Sequence, residues 1–495
     1  MTTTTALGLL PAELWGLVFS SLHCNEVMKL ALVHRSFLPL TRPYLLGNLT
    51  LCSLHPDSHE RVRVILTNPE FGRYVRHLRI EHFPVQVVHS PHWRRALEVK
   101  YYELQQFKWR HPLRSFRRLA LTHKTSIKTA EMVLPYLLNA HKVTVNLQHS
   151  HTIPYPERLE QLWTKCPPIQ ILHLQLDSLH SAFFAECVEK DPMVLNQLKE
   201  LSLQLFRRSG CRLGTRDQRN NISVVFDACR HSLKVLSLSS HAWPYLIVPV
   251  LGKMPHLERF EWDGTQSWMH LGDSNCPNIL NFLRLHKDTL RHVALLGFPL
   301  GMEDQWFSPS EDSNMLPKLV TLFLDCQSGM LRFPYPIPTY VTPFADTLEV
   351  LYLDGKPMEV EAITLLVLVL HKPLGGARLK ALRVPVQMLR VSLFTTLAGH
   401  LDNLQTLEVA YLGGDLLSPV NRASFRLEMK VRDFSHWSLK CLNILAIEGD
   451  AFSEKHKDSA KALLEIVSGE IPSVRSCEKI DWPEILDLRC TSFTF

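Results

Sequence analysis

The chain is 495 residues long and 46% hydrophobic, with 54 Lys and Arg against 48 Asp and Glu and a formal charge of +6. That length suffices for a large buried core and about three domains. Its 11 cysteines are an odd number with no Cys-x-x-Cys pair, which excludes a disulfide scaffold or a zinc ribbon and points to buried free thiols.

The first apolar stretch is LLPAELWGLVFSSL, residues 9–22. It follows MTTTTALG, which has no Lys or Arg, and it is interrupted by Pro11 and Glu13 with no small-residue cleavage site after it. It is therefore not read as a secretory signal. ITLLVLVL from Ile363 is too short to span a bilayer, and the expectation is a soluble protein of the cytoplasm and/or nucleus. The stretch reads instead as a short helix with Pro11 at its first position and Leu14, Leu17, Val18, Ser21 and Leu22 on one face. A second helix is expected in EVMKLALVHRSF, residues 26–37, and a third opening at Thr41-Arg42-Pro43 and running into Leu45 and Leu46. Three small helices this apolar cannot form a good core by themselves. The excess marks either a partner site or a hairpin that caps the rest of the chain.

His55, His59 and Glu60 in HPDSHE lie at helical spacing but lack a third ligand, so a solvated helix start is expected there and no metal. The charge is uneven: residues 61–118 hold thirteen Lys or Arg against four Asp or Glu. Within them HWRRALEVKYYELQQFKWRHPLRSFRR, residues 92–118, interleaves basic and aromatic side chains, a pattern suited to nucleic-acid binding. Trp93, Leu97, Tyr101, Leu104 and Phe107 also fall at helical spacing, which suits an amphipathic core helix with solvated charges. A second basic stretch, FRRSGCRLGTRDQR from Phe206, reads as an exposed insertion.

Twelve windows share apolar residues at positions 1, 4 and 6. They are VRHLRI from Val75, FRRLAL from Phe116, IQILHL from Ile169, LKELSL from Leu198, LKVLSL from Leu233 and LERFEW from Leu257. LRHVAL from Leu290, LVTLFL from Leu319, LEVLYL from Leu348, LKALRV from Leu379, LQTLEV from Leu404 and LNILAI from Leu442 complete the set. VTVNL near Val143 and ILDL near Ile485 are degenerate cousins. Positions 4 and 6 point to one face of a strand, and position 1 falls in the turn before it. Helical patterns fill many gaps, as in NILNFLRLHK from Asn278, VEAITLLVLVLHK from Val360 and KDSAKALLEIV from Lys457. A strand and a helix that bury nothing alone must stack, which predicts an α/β leucine-rich-repeat solenoid with parallel strands. Independent α/β domains with parallel sheets fit the periodicity too. Three residues after position 6, Phe206, His241, Thr265 and Lys356 replace the usual Asn or Cys, so the turn amides must find other partners. FPYPIPTYVTP from Phe333 is expected to be an extended surface loop.

Acidic residues recur beside the windows. Asp263, Asp325, Asp354 and Glu448 follow position 6, and Glu261 and Glu408 lie between positions 4 and 6. In register they form an acidic column suited to a basic target; Asp263, Asp354 and Glu448 also precede Gly, as in a strand-exit turn. Walker, Gly-x-Ser-x-Gly and His-Glu-x-x-His motifs are absent, and the Gly272-Asp273-Ser274 triplet lacks the partner pattern of a hydrolase.

LPAELWGLVFSSL resembles the Leu-Pro-x-Glu-(Leu/Ile) opening of the F-box, EVMKLALVHRSF resembles its second segment and LLGNLTL its exit, with Phe37 where the family has Trp. NPEFGRYVRHLRI from Asn68 looks like the segment following the F-box in fungal F-box and leucine-rich-repeat proteins. The resemblance implies an F-box at residues 1–51 and an irregular repeat solenoid at 52–495. It implies a substrate receptor of an SCF-type ubiquitin ligase, docked on the Skp adaptor and through it on cullin and RING subunits. Leu10, Pro11, Leu14, Val18, Leu22, Val27, Leu30 and Val33 are then expected to form or support the adaptor-facing surface. No catalytic residue or cofactor is implied; proximity is the whole contribution. A non-degradative F-box scaffold and a nucleic-acid-binding repeat protein are the alternatives.

Overall fold

The computed structural model describes residues 11–22, 24–33, 36–52, 56–81, 132–146, 168–206, 215–240, 250–263, 277–296, 316–326, 341–355, 357–371, 378–412, 418–446 and 454–476. The chain forms two compact units, Met1–Leu233 and Lys234–Phe495.

The first unit opens with three helices, α1 Ala12–Ser21, α2 Cys24–Val33 and α3 Phe37–Leu46. Pro11 sits just before α1, its carbonyl accepting from the N–H groups of Leu14 and Trp15 at 3.1 and 3.2 Å. The third helix starts four residues before the expected Thr41. Phe37 is drawn into a small core with Phe19 and Val27, and Pro39 falls in the first turn, where its missing N–H costs nothing. Strand β1, Asn48–Cys52, follows at once, so LLGNLTL runs into the sheet. Helix α4 (Pro56–Thr67) and strands β2 (His77–Glu81), β3 (Lys142–Asn146) and β4 (Ile171–Asp177) come next. Helix α5 (Ser178–Lys190), β5 (Glu200–Phe206) and α6 (Thr215–Cys229) complete the unit. Strands β1 to β5 pair in sequence order within the unit, and all four pairs are parallel. Of the basic stretch from Phe206, the end lies in α6 and not in an insertion loop. Gly72 has no room for a side chain: a Cβ there would run into the Tyr136 carbonyl.

The second unit contains β6 (Val235–Ser240), β7 (Arg259–Asp263), α7 (Pro277–Leu285), β8 (His292–Leu296), β9 (Thr321–Cys326), β10 (Val350–Gly355) and α8 (Val360–Leu370). It continues with β11 (Ala381–Val386), α9 (Val391–His400), β12 (Thr406–Tyr411), α10 (Pro419–Lys430), β13 (Cys441–Ala446), α11 (Glu454–Glu470) and β14 (Arg475–Ser476). These strands too are parallel and paired in sequence order. Both units are α/β with parallel sheets.

Ten of the twelve windows carry a strand in the expected register, with positions 1, 4 and 6 buried. FRRLAL from Phe116 lies outside the described residues, as does ILDL near Ile485; Val143 belongs to β3. The twelfth window is slipped by three. Leu407 pairs with Leu442 and Val409 with Ile444, so position 1 is Leu439 and the unit reads LKCLNI. The two readings share a Leu three residues apart, and only the lateral pairing chooses between them.

Position 1 closes a tight turn, as where the Leu257 N–H donates to the Met254 carbonyl at 3.2 Å and that of Leu404 to Leu401 at 3.1 Å. The turns before successive strands are joined by backbone bonds, while His241, Thr265 and Lys356, after the strands, lie outside the described residues. The Lys234 carbonyl accepts from Glu258 and Arg259, that of Glu258 from Arg291 and His292, and that of Lys380 from Gln405 and Thr406, all at 2.8–3.1 Å. This backbone ladder carries the sheet pairing back into the turn before each strand. Side chains add staples: Trp437 Nε1 donates to the Leu401 carbonyl at 3.1 Å. His286 Nε2 accepts from the Met254 N–H at 2.8 Å, and its Nδ1 donates to the Phe282 carbonyl at 2.7 Å.

Helices α7, α8 and α11 occupy the three helical patterns anticipated between windows. The Pro-rich segment departs from expectation at its end. Val341 is buried and Thr342–Phe344 form a helical turn whose Phe344 is buried; Phe333–Tyr340 lie outside the described residues. Cys187 is buried, and Cys229 is a buried free thiol pushed up to about 12 by burial. Cys441 is disulfide-bonded, contrary to the free-thiol expectation.

At the exit of β10, Asp354 Oδ1 accepts from the Gly355 N–H at 2.9 Å, and Gly355 has φ 100°. The acid-before-Gly reading is realised here as a strand-exit turn. Gly355→Ala places a Cβ in the left-handed region and is expected to cost about 1–2 kcal/mol, read as a lowered denaturant midpoint.

Candidate protein-binding surfaces

The N-terminal helices divide the expected docking residues into two groups. Val27 is buried with Phe19 and Phe37, and Leu22 and Leu30 pack half-buried against that cluster beside Trp15, Leu40 and Leu45. Aromatic rings supply its geometry: Trp15 meets Phe37 edge-on at 5.2 Å, and the Tyr44 hydroxyl donates to the Gly16 carbonyl at 2.8 Å. These residues hold the hairpin together. Leu14, Val18 and Val33 face outward, as does Pro11; Leu10 lies outside the described residues. Leu17 and Leu32, omitted from the expected set, are 67% and 82% exposed, more than Leu14 at 44%. Met28 and Leu38 join them at the surface. The signal for Leu32 was present in a second helix with almost no polar face, which always leaves apolar side chains over. Each of the three helices thus leaves large apolar side chains exposed to solvent.

A second set of expected binding residues lies on the sheet of the Lys234–Phe495 unit, on the face away from the window leucines, in a row that is largely buried. Lateral pairing places Ser237, Glu261, Ala294, Phe323, Tyr352, Arg383, Glu408 and Asn443 in one row across β6 to β13. Phe323 and Tyr352 stack at 4.0 Å with 13° between their planes. The Arg383 guanidinium lies over Tyr352 at 4.5 Å. It reaches Asp354 Oδ2 at 3.2 Å and pairs with Glu408, to which Asn443 Nδ2 donates at 3.1 Å. Glu261 is paired with Arg259 on its own strand.

The acidic column is thereby corrected. Glu261, Asp325 and Glu408 are buried, and Glu261, Glu408 and Asp354 are each matched to an arginine. The Ser239 hydroxyl donates to Asp263 at 3.4 Å. Position 6 of the last repeat is Ile444 in the observed register, so Glu448 leaves the column; it lies outside the described residues. The row is a buried set of aromatic and ion-paired groups, and a charged surface for a basic target is not what these carboxylates supply.

In the Met1–Leu233 unit, His77 Nε2 lies 2.9 Å from Thr144 Oγ1. Burial, aided by Lys142, Arg79 and His141, pushes His77 down to about 4. Burial and then Lys142 and His77 do the same to His173, also to about 4. Its 3.7 Å approach to Glu200 is thus not an ion pair at neutral pH, because desolvation outweighs that single long contact. Unfolded histidines titrate near 6.5, so between that value and about 4 the unfolded chain binds protons that the folded chain refuses. Stability from this pair is complete above the unfolded value and lost as pH falls through the window. The urea midpoint is expected to drop between about pH 7 and pH 5, and to drop less in the His77→Gln, His173→Gln variant.

Among the described residues, no three His, Cys, Asp or Glu are placed to hold a metal ion. No described helix is long and apolar enough to cross a membrane. The basic aromatic segment 92–118 lies outside the described residues.

Fold and surfaces together define an α/β protein of stacked, parallel strand–turn units that begins with an apolar-faced helical hairpin. No protein-family model matches the chain, and no curated protein matches it.

Proposed function

We propose that the chain is the substrate-recognition subunit of an SCF-type ubiquitin ligase, working in the cytoplasm and/or nucleus. The three N-terminal helices act as an F-box on the Skp adaptor, and the strand–turn units form an irregular leucine-rich-repeat solenoid that binds the target protein. The observation carrying this reading is the exposure of Leu14, Leu17, Leu32 and Val33 around a hairpin core as small as Phe19, Val27 and Phe37. A partner that covers those leucines recovers roughly 25 cal/mol for each Å² of apolar surface removed from water. The receptor carries no chemistry of its own in this reading. It holds a target's lysines near a charged conjugating enzyme, raising their effective concentration.

The test is affinity purification of the tagged full chain with mass spectrometry, followed by reconstitution with purified adaptor. A stoichiometric adaptor complex that brings down cullin supports the reading. A chain that emerges without adaptor defeats it. Captured targets whose abundance is unchanged by loss of the chain identify the non-degradative scaffold.

A further inference from the structure

A cavity of about 420 Å³ lies in the Lys234–Phe495 unit, between the end of β12, the start of α9 and the flank of α10. We infer that it is a binding site for a phosphomonoester with an apolar body. This inference does not depend on adaptor docking.

Three features of the wall converge on an anion. First, Arg390 precedes α9 in extended conformation, and no side chain caps that helix. The first backbone bond of the turn is from the Leu393 N–H to the Arg390 carbonyl at 3.1 Å. The N–H groups of Val391 and Ser392, both on the cavity wall, are first-turn donors at the positive end of the helix dipole.

Second, Arg390 and Arg432 both line the cavity. Arg390 touches the Met388 sulfur at 3.6 Å, and neither guanidinium is engaged in an ion pair among the described residues. Glu428 also stands on the wall and opposes an anion, so both arginines are needed to leave the site positive.

Third, and independently, Tyr411 ends β12 with its side chain 2% exposed and on the same wall. Its hydroxyl has no hydrogen-bond partner among the described residues. A buried hydroxyl without a partner is costly, and a phosphoryl oxygen in this cavity gives it an acceptor. Asn421 and Ser424 add polar groups. The remaining wall is apolar: Met388 and Leu412 are 39% and 46% exposed, and Phe425 is buried beneath. Such a wall fits an aryl or alkyl body attached to the phosphate better than inorganic phosphate alone.

The experiment is isothermal titration of the full chain with phenyl phosphate at low salt, with phenol and inorganic phosphate as companion titrants. Saturable binding of phenyl phosphate at one site, tighter than either companion, is expected. Arg390→Gln and Arg432→Gln should each weaken it about tenfold, the loss of one charge-assisted contact. Tyr411→Phe should weaken it several-fold while the unliganded protein melts no earlier, because the hydroxyl it removes was unpaired. Both arginines are exposed, so their variants should fold, and thermal melts check this. A phosphotyrosine peptide in place of phenyl phosphate separates the sources: binding identifies a protein-borne phosphate, and exclusion a free small ligand. Absence of phenyl phosphate binding to the wild-type chain, or undiminished affinity in both arginine variants, overturns the inference.

Discussion

Replacing Leu17, Leu32 and Val33 by Asp abolishes adaptor capture while leaving the thermal unfolding of the chain unchanged: that is the expected result if the N-terminal hairpin is an F-box. The three side chains are 67%, 82% and 72% exposed, so the fold loses almost nothing when they become polar. A docked partner, in contrast, would have to bury carboxylates without counter-charges, at a cost of several kcal/mol. The variants thus separate binding from folding. Leu14→Ala with Leu30→Ala should also reduce capture, but less cleanly. Leu30 packs against the Phe19 cluster, and truncating a buried leucine costs about 2–5 kcal/mol of hairpin stability. Retained adaptor capture by the triple Asp variant, in a pull-down with purified adaptor, would defeat the F-box assignment.

The second large effect is on stability. Arg383→Met is expected to destabilise the second unit by about 3–5 kcal/mol, because it strands two carboxylates that are largely withdrawn from water. Glu408 is 4% and Asp354 13% exposed at the side chain, against 16% for Arg383. The cation also stacks on Tyr352, which itself stacks on Phe323, so the substitution disturbs a row five strands wide. Adding Glu408→Gln should recover part of the loss, since the amide keeps the hydrogen bond from Asn443 without carrying a buried charge. Chemical denaturation of the single and double variants yields the coupling directly. Additive losses in the two variants would show that Arg383 and Glu408 do not act as a pair.

The surfaces were legible in unequal degree. The apolar face of the first helix could be read from Leu14, Leu17, Val18 and Leu22, because helical periodicity is a local property. Which of the N-terminal leucines hold the hairpin and which remain outside could not. That division depends on where Phe37 lands, and Phe37 belongs to a different helix from the one its sequence segment suggested. The row on the sheet was readable only as a set of carboxylates. Their arginine partners stand 25 and 29 residues away in the chain for Glu408 and Asp354, beyond the reach of any spacing argument. Tyr411, Arg390 and Arg432 carried no sequence signal at all; a cavity gathers them from the end of a strand, the start of one helix and the end of another.

By itself the sequence determined where ten of the strands lie, since each of those windows buries its own position 1, 4 and 6 side chains and the cost of exposing them is paid locally. It determined the helices α7, α8 and α11 for the same reason. Tertiary structure alone decided the register of the last window, where Leu439 and Leu442 offer two starts and the pairing of Leu407 with Leu442 selects one. It also decided the fate of the charges. Backbone pairing brings strands from separate repeats to hydrogen-bonding distance, and at that range an arginine on the next strand turns an acidic residue from a lure for a partner into part of the protein's own interior.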